Sequence, residues 1–259
     1  MQYFIHGDDF GRSPAKSNAI DELIRSGAIH TTSLLVNLDD TDHAMELAKS
    51  GGYADRVCLH LNFSEGEPLT QEIRKTGLCS ASGKFRWAQS KRILTTCMTL
   101  RSIRAIRSEA EAQMKRFRES GFASRRIDSH DWLLFNLPIW IAVKPLLKQY
   151  GFTITRKACD NWISNKPAAL RRYYRFMQRR IEGSVQQDGT WAGGLVSFRK
   201  ALKKGAISAH TRAEIMTHPE LVDGALFDVS NHERVPMDEV VDSMEKLAQE
   251  IASPSATLL

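Results

Sequence analysis

The chain has 259 residues, enough for one large α/β unit or two small ones. Hydrophobic residues make up 42% and charged residues 25%, which excludes a fibrous or disordered chain. The formal net charge is +6, a basic bias that suits an anionic partner and suits plain solubility equally well.

Gln2 to His6 reads as a strand with two acids close behind it, and no basic, apolar leader precedes it. Ser13 as cap and Pro14 at the first helical position open a helix that buries Ile20, Leu23 and Ile24 and closes at Gly27. Thr31–Val36 reads as the second strand, Asp42–Lys49 as a helix and Arg56–Leu61 as the third strand. Residues 63–100 break the rhythm, and excursions of that length are usually functional. Regularity returns with a helix at Ile103–Glu119, a strand at Arg126–Ser129, a helix at Pro138–Tyr150 and a strand at Phe152–Thr155. A second irregular excursion is expected over 160–205. The strand Glu214–Thr217 and the helix Met237–Ile251 then end the chain. Strands alternating with helices predict an α/β fold, a (β/α)-barrel forming a single domain over 1–259 with two insertions.

The most apolar stretch, Trp132 to Leu147, is broken by Asn136, Pro138 and Lys144, so no span of the about 20 residues that cross a bilayer is present. Cys58, Cys79, Cys97 and Cys159 form no CxxC pair and suggest neither a zinc ribbon nor a disulfide framework. A reducing, cytoplasmic location is the expectation.

Asp8 and Asp9, His60, His130 and His218 all fall at the C-terminal ends of predicted strands. In a parallel barrel these ends share one face, where active sites are built. A carboxylate with two imidazoles suits one divalent ion, zinc first, with magnesium, manganese or cobalt as alternatives. A second, free carboxylate suits a general base toward water. Each residue also has a plainer reading: Asp8 and Asp9 as a turn, His60 as a core histidine, His130 as a helix cap. His6, His30, His43, His210 and His232 lack that combination of placements and read as structural or surface residues.

The sequence His6-Gly7-Asp8-Asp9-Phe10-Gly11-Arg12-Ser13-Pro14 resembles the opening N-A-D-D-F-G-x-S-P of the YdjC-like carbohydrate deacetylases, a family that includes chitooligosaccharide deacetylases. Leu59-His60-Leu61-Asn62-Phe63-Ser64-Glu65-Gly66, Ile127-Asp128-Ser129-His130 and Glu214-Ile215-Met216-Thr217-His218-Pro219 are similar to its later motifs, in the same order. The resemblance implies a deformed (β/α)-barrel with Asp9, His60 and His130 on the metal, Asp8 as general base and His218 as proton donor or oxyanion stabiliser. It implies a hydrolase that releases acetate from an N-acetylhexosamine-containing saccharide. Asn62 and Arg156 would line the substrate, while Trp132 reads as a stacking wall for a sugar ring or equally as a core residue. The family's D-S-H-x-H-x-H reads Asp128-Ser129-His130-Asp131-Trp132-Leu133-Leu134 here, and its H-P-G reads His218-Pro219-Glu220, which points to a different substrate. Hydrolysis of an O-acetyl ester or phosphoester, and an idle saccharide-binding barrel, are the alternatives.

The segment Leu170 to Ile181 is the most basic in the chain. It reads as a solvated helix face or as a grip on an anionic partner, such as a phosphorylated or diphosphate-linked saccharide at a membrane surface. Nucleic-acid binding ranks low, because no motif accompanies it. A homodimer fits barrels of this size, although no patch demands one.

Overall fold

The computed structural model describes residues 1–86, 98–158, 163, 166–230 and 233–252. One parallel sheet contains β1 (Gln2–Phe10), β2 (Thr31–Leu34), β3 (Val57–Leu61), β4 (Arg126–Ser129), β5 (Ile154–Thr155), β6 (Gln186–Gln187), β7 (Trp191–Gly193) and β8 (Arg212–Thr217). The strand order is β6-β5-β4-β3-β2-β1-β8-β7. Each strand thus lies beside its chain neighbour, β8 returns to β1, and among the described residues the ladder is interrupted only between β6 and β7. This is the circular order of a (β/α)-barrel opened at one seam.

Side-chain contacts show that the sheet is curled. Arg126 on β4 and Glu214 on β8 are four strands apart, about 19 Å on a flat sheet at ~4.8 Å per strand. Their Nη2 and Oε1 atoms are 2.5 Å apart. Arg156, just beyond β5, reaches the same carboxylate at 2.7 Å. Asp188, after β6, bridges to Arg126 at 3.1 Å and to Arg212 on β8 at 3.3 Å, which ties the seam with charge where backbone pairing stops.

The helices are α1 (Pro14–Ser26), α2 (Thr41–Ser50), α3 (Leu100–Glu119), α4 (Leu137–Gln149), α5 (Ala168–Glu182), α6 (Leu195–Lys203) and α7 (Met237–Ala252). α1 begins and ends as its sequence dictates: Ser13 accepts from the Lys16 N–H, Pro14 opens the helix, and Gly27 closes it at φ 81°. β3 is buried along its whole length, as expected of a parallel strand covered on both faces. After β8 the chain adds an antiparallel sheet of β9 (Pro219–Val222), β10 (Ala225–Ser230) and β11 (Glu233–Pro236).

Several expectations are corrected. Residues 160–205 are not irregular: their described part carries α5, β6, β7 and α6, which belong to the barrel. β6 and β7 have only two and three residues, too few for a period-two signal to show in sequence. β1 runs on to Phe10, past the two acids. Of the structural and surface readings of His6, the structural one holds: it is a fully buried interior residue. Among 63–86, Ile73–Lys75 forms a short 3-10 turn, and buried Glu109 of α3 holds the loop by accepting from the N–H groups of Leu69 and Thr70. Cys58 and Cys79 are buried, while Cys97, Cys159 and His232 lie outside the described residues. Among the described residues no helix is long and apolar enough to cross a membrane.

Candidate active site

Adjacent residues on a regular strand point to opposite faces, yet Asp8 and Asp9 both reach the barrel mouth. A bulge resolves this. From Gly7 to Phe10 the strand advances three residues while β2 advances two, from Thr32 to Leu34. Asp9 takes up the extra residue in the left-handed region at φ 71°, an uncommon conformation for a non-glycine residue. Gly7 points the other way, where an added Cβ would sit 3.0 Å from Ile29 under the helix layer.

Asp9, His60 and His130 bring one ligand atom each to within 4.8 Å of one another. Asp9 Oδ1 is 3.0 Å from His130 Nδ1 and 3.8 Å from His60 Nε2. It is buried and lacks a hydrogen bond of acceptable geometry, whereas Asp9 Oδ2 accepts from Arg12 at 3.0 Å. His60 is oriented from behind: its Nδ1 lies 2.6 Å from Asp128 Oδ1 and 3.0 Å from Ser33 Oγ, which leaves Nε2 facing Asp9. A carboxylate behind a ligating imidazole is the usual outer support of a metal site. The orphaned Asp9 oxygen, the two imidazoles and this support fit a divalent ion.

Charge agrees with that fit. Burial opposes ionisation of Asp9, but the adjacent His130 holds its pKa well below the usual carboxylate range. Burial likewise disfavours the His130 cation, yet Asp9 raises its pKa to about 9, so without metal the pair retains a proton. Two further clusters, His6–Cys58–Asp128 and Asp8–His60–Asp128, share similar spacing. A guanidinium already occupies that space, with Arg156 Nη2 at 2.6 Å from Asp8 and 3.1 Å from Asp128. Burial also raises the Cys58 thiol well above its ordinary value, and its S–H donates to the Thr32 carbonyl. Among these clusters the Asp9 set is the one left open to a cation.

Across the mouth, Asp8 is clamped bidentately by Arg156, at 2.9 and 2.6 Å. Burial works against its ionisation, but Arg156 holds it well below the usual range. Arg156 and Arg126 both donate to buried Glu214, an ionic floor beneath the site. His218 Nε2 lies 3.8 Å from Asp8 Oδ2. Its Nδ1 is 2.9 Å from Ser230 Oγ, and Asp228 accepts from both Ser230 and the His218 N–H. The β9–β10 hairpin therefore turns His218 toward Asp8.

Of the remaining sequence-derived residues, Arg156 is buried and spent on carboxylates rather than free for a ligand. Trp132 is half-buried beside it, with the Arg156 guanidinium 5.8 Å from the ring centroid. Asp131 and Trp132 both adopt positive φ, 54° and 59°, in the turn that follows His130. Asn62 is not brought to the mouth: its amide bonds Asn37 and the backbone of Ser64 and Glu65, shaping the loop after β3. Asp128, Ser33, Glu214, Arg126, Asp228 and Ser230 were not singled out from sequence as site residues. Asp128 had a usable signal, since it sits two residues before His130 on the same strand end, where alternate residues share a face. Asp228 and Ser230 had none, because a ten-residue hairpin separates them from His218.

A model of the YdjC-like protein family matches residues 3–251. A carbohydrate deacetylase of Vibrio campbellii is 26% identical over 237 residues, covering 90% of this chain and 83% of the relative. A carbohydrate deacetylase of Oceanobacillus iheyensis is 27% identical, covering 90% and 91%. Among solved structures, an Enterococcus faecalis protein provisionally described as a cellobiose-phosphate cleavage protein superposes with a TM-score of 0.66. It shares 18% identity over 96% of this chain and 94% of its own, a likeness of fold.

Proposed function

The chain belongs to the YdjC-like family, and from that premise we propose that it is a metal-dependent hydrolase that removes an acetyl group from an N-acetylated saccharide. The observation that carries the reading is the buried Asp9 Oδ1, without an accepted hydrogen bond, between two imidazole nitrogens, with Asp8 and His218 facing each other across the same mouth. The names of the relatives support the substrate class.

Asp9, His60 and His130 would hold the ion. Bound there, a divalent ion supplies Lewis acidity, which acidifies water and polarises an amide carbonyl. Asp8, kept ionised by Arg156, is available to accept a proton from the attacking water. Its low basicity suits a transient holder, one that passes the proton on rather than storing it. His218, steered through Nδ1 by Ser230, directs Nε2 at the reacting group, where it stabilises developing oxyanion charge or delivers the proton to the leaving nitrogen. The carbon–nitrogen bond breaks, water supplies a hydroxyl to the acyl carbon and a proton to the amine, and the products are acetate and an amino sugar. Trp132 offers an aromatic wall for a sugar ring.

The test is acetate release from N-acetylglucosamine, its β-1,4 dimer and nucleotide- or diphosphate-linked forms, with a chelator-treated control. Chelator-sensitive release supports the reading. Metal bound at one equivalent with no release from any member would refute it for this substrate class.

A further inference from the structure

We propose that the active-site rim formed by the leading turns of α3 and α4, together with the exposed side of α5 along its length, docks on the headgroup surface of an anionic lipid bilayer. Helix N-termini follow the C-terminal strand ends in this fold, so these turns border the mouth that holds Asp8 and Asp9. Tyr173 ties α5 to the start of α4, accepting from the Leu137 N–H and donating to the Phe135 carbonyl.

Two features coincide on this rim. Among the described residues seven large apolar side chains are exposed, and five of them, Met98, Leu100, Ile141, Leu170 and Phe176, belong to it; the others are Leu69 and Val196. Leu100 is 74% exposed and Phe176 46%. Around them stand arginines without counter-ions. Arg101 and Arg104 on α3 and Arg172, Arg175 and Arg179 on α5 enter no ion pair among the described residues. Arg25, Arg74, Arg116, Arg199 and Arg212 each meet a carboxylate, whereas Arg56, Arg107, Arg125, Arg171 and Arg180, like the five above, enter no ion pair among the described residues.

Helical spacing gathers Arg172, Arg175, Phe176 and Arg179 on the outward side of α5, opposite buried Met177 and Ile181. Like charges three and four residues apart repel, and α5 has one acid, Glu182, which is engaged by Gln178. An external anionic layer relieves that repulsion. Protruding single apolar side chains set among arginines match a bilayer interface, where apolar tips enter the acyl boundary and guanidinium groups meet lipid phosphates. A nucleic acid would neutralise the arginines but leave Met98, Leu100 and Ile141 without an apolar partner.

The measurement is co-sedimentation of the full chain with vesicles of phosphatidylcholine alone and of phosphatidylcholine mixed with phosphatidylglycerol. Binding is expected only with the anionic vesicles at about 0.1 M salt and is expected to be lost near 1 M, where the screening length shrinks to ~3 Å. The triple variant Arg172→Gln, Arg175→Gln, Arg179→Gln is expected to bind on the order of 100-fold more weakly, since each basic residue contributes roughly one decade or slightly less. Leu100→Ser with Phe176→Ser leaves the charge intact and is also expected to weaken binding. Equal binding to both vesicles, no binding to either, or an unchanged triple variant overturns the proposal. So does tighter binding to single-stranded RNA than to anionic vesicles. Because turnover is not read, a failed deacetylase assay leaves this outcome interpretable.

Discussion

Asp8 and Asp9 are adjacent in sequence, yet the fold gives them different neighbours and hence different proposed work. Asp8 has both oxygens clamped by Arg156, while Asp9 keeps one oxygen bare beside His60 and His130. Asp8→Asn is therefore expected to bind metal normally while turnover falls about 10²–10⁴-fold, the usual worth of a general base. Metal content and acetate release measured on the same sample check this, and loss of metal would reassign Asp8 as a ligand. Asp128→Asn is expected to weaken metal affinity about 10–100-fold by releasing His60 from behind, read by competition with a chromogenic chelator. Because the His130–Asp9 pair retains a proton with a pKa of about 9, metal uptake at pH 7 must expel it. Affinity should then rise with pH up to about 9, and calorimetry in buffers of different ionisation enthalpy should register the released proton. The ligand types were legible in sequence because each lies at or just past the C-terminal end of a strand. Arg156 was legible as a site residue, but its partner was not, since Asp8 lies 148 positions away.

At the scale of elements, β1 and the turn into α1 set the catalytic geometry. Gly11 leaves the strand at φ 85°, and an added Cβ would stand 2.9 Å from the Leu35 carbonyl oxygen. Gly11→Ala is expected to destabilise the fold by roughly 1–3 kcal/mol, because both the left-handed backbone and the backbone contact oppose it. Ser13→Ala, which removes only the cap of α1, is expected to cost about 1 kcal/mol. Denaturant unfolding of the two variants checks the order, and equal stabilities would contradict it. α1 was legible end to end because cap, proline, apolar spacing and terminal glycine all agree. The bulge at Asp9 was not, since no residue there announces an extra position in the ladder. β6 and β7 were hidden by their length, and residues around them were read as irregular for that reason.

For the whole molecule, the decisive feature is a charged interior. Asp8, Asp9, Asp128 and Glu214 are buried against Arg126, Arg156 and the histidines, and each carboxylate is held below its ordinary pKa by those cations in spite of burial. Depressed folded-state values contribute stability that is present above the unfolded values near 4 and is lost as pH falls below them. His130 behaves oppositely in metal-free protein: its contribution is full below about 6.5 and fades as pH rises through about 9. Buried His6, its pKa lowered by burial, makes stability fall as pH drops below about 6.5. Metal-free stability is thus expected to peak near pH 6.5, and thermal unfolding across pH 3–10 checks it. A plateau extending to pH 10 would contradict the His130–Asp9 pairing. The alternation of strands and helices made the barrel legible. The closure of β4 onto β8 through Arg126 and Glu214 was not, because only the curled sheet brings those two residues together.

The most direct test of the proposed function is a titration of metal-free protein with a divalent ion while acetate release from an N-acetylated saccharide is followed. Activity is expected to rise linearly and to saturate at one equivalent. His60→Ala is expected to show neither tight uptake nor activity, and Asp8→Asn uptake alone. Acetate release that is indifferent to the ion, or full uptake and activity in His60→Ala, would contradict a catalytic metal on Asp9, His60 and His130.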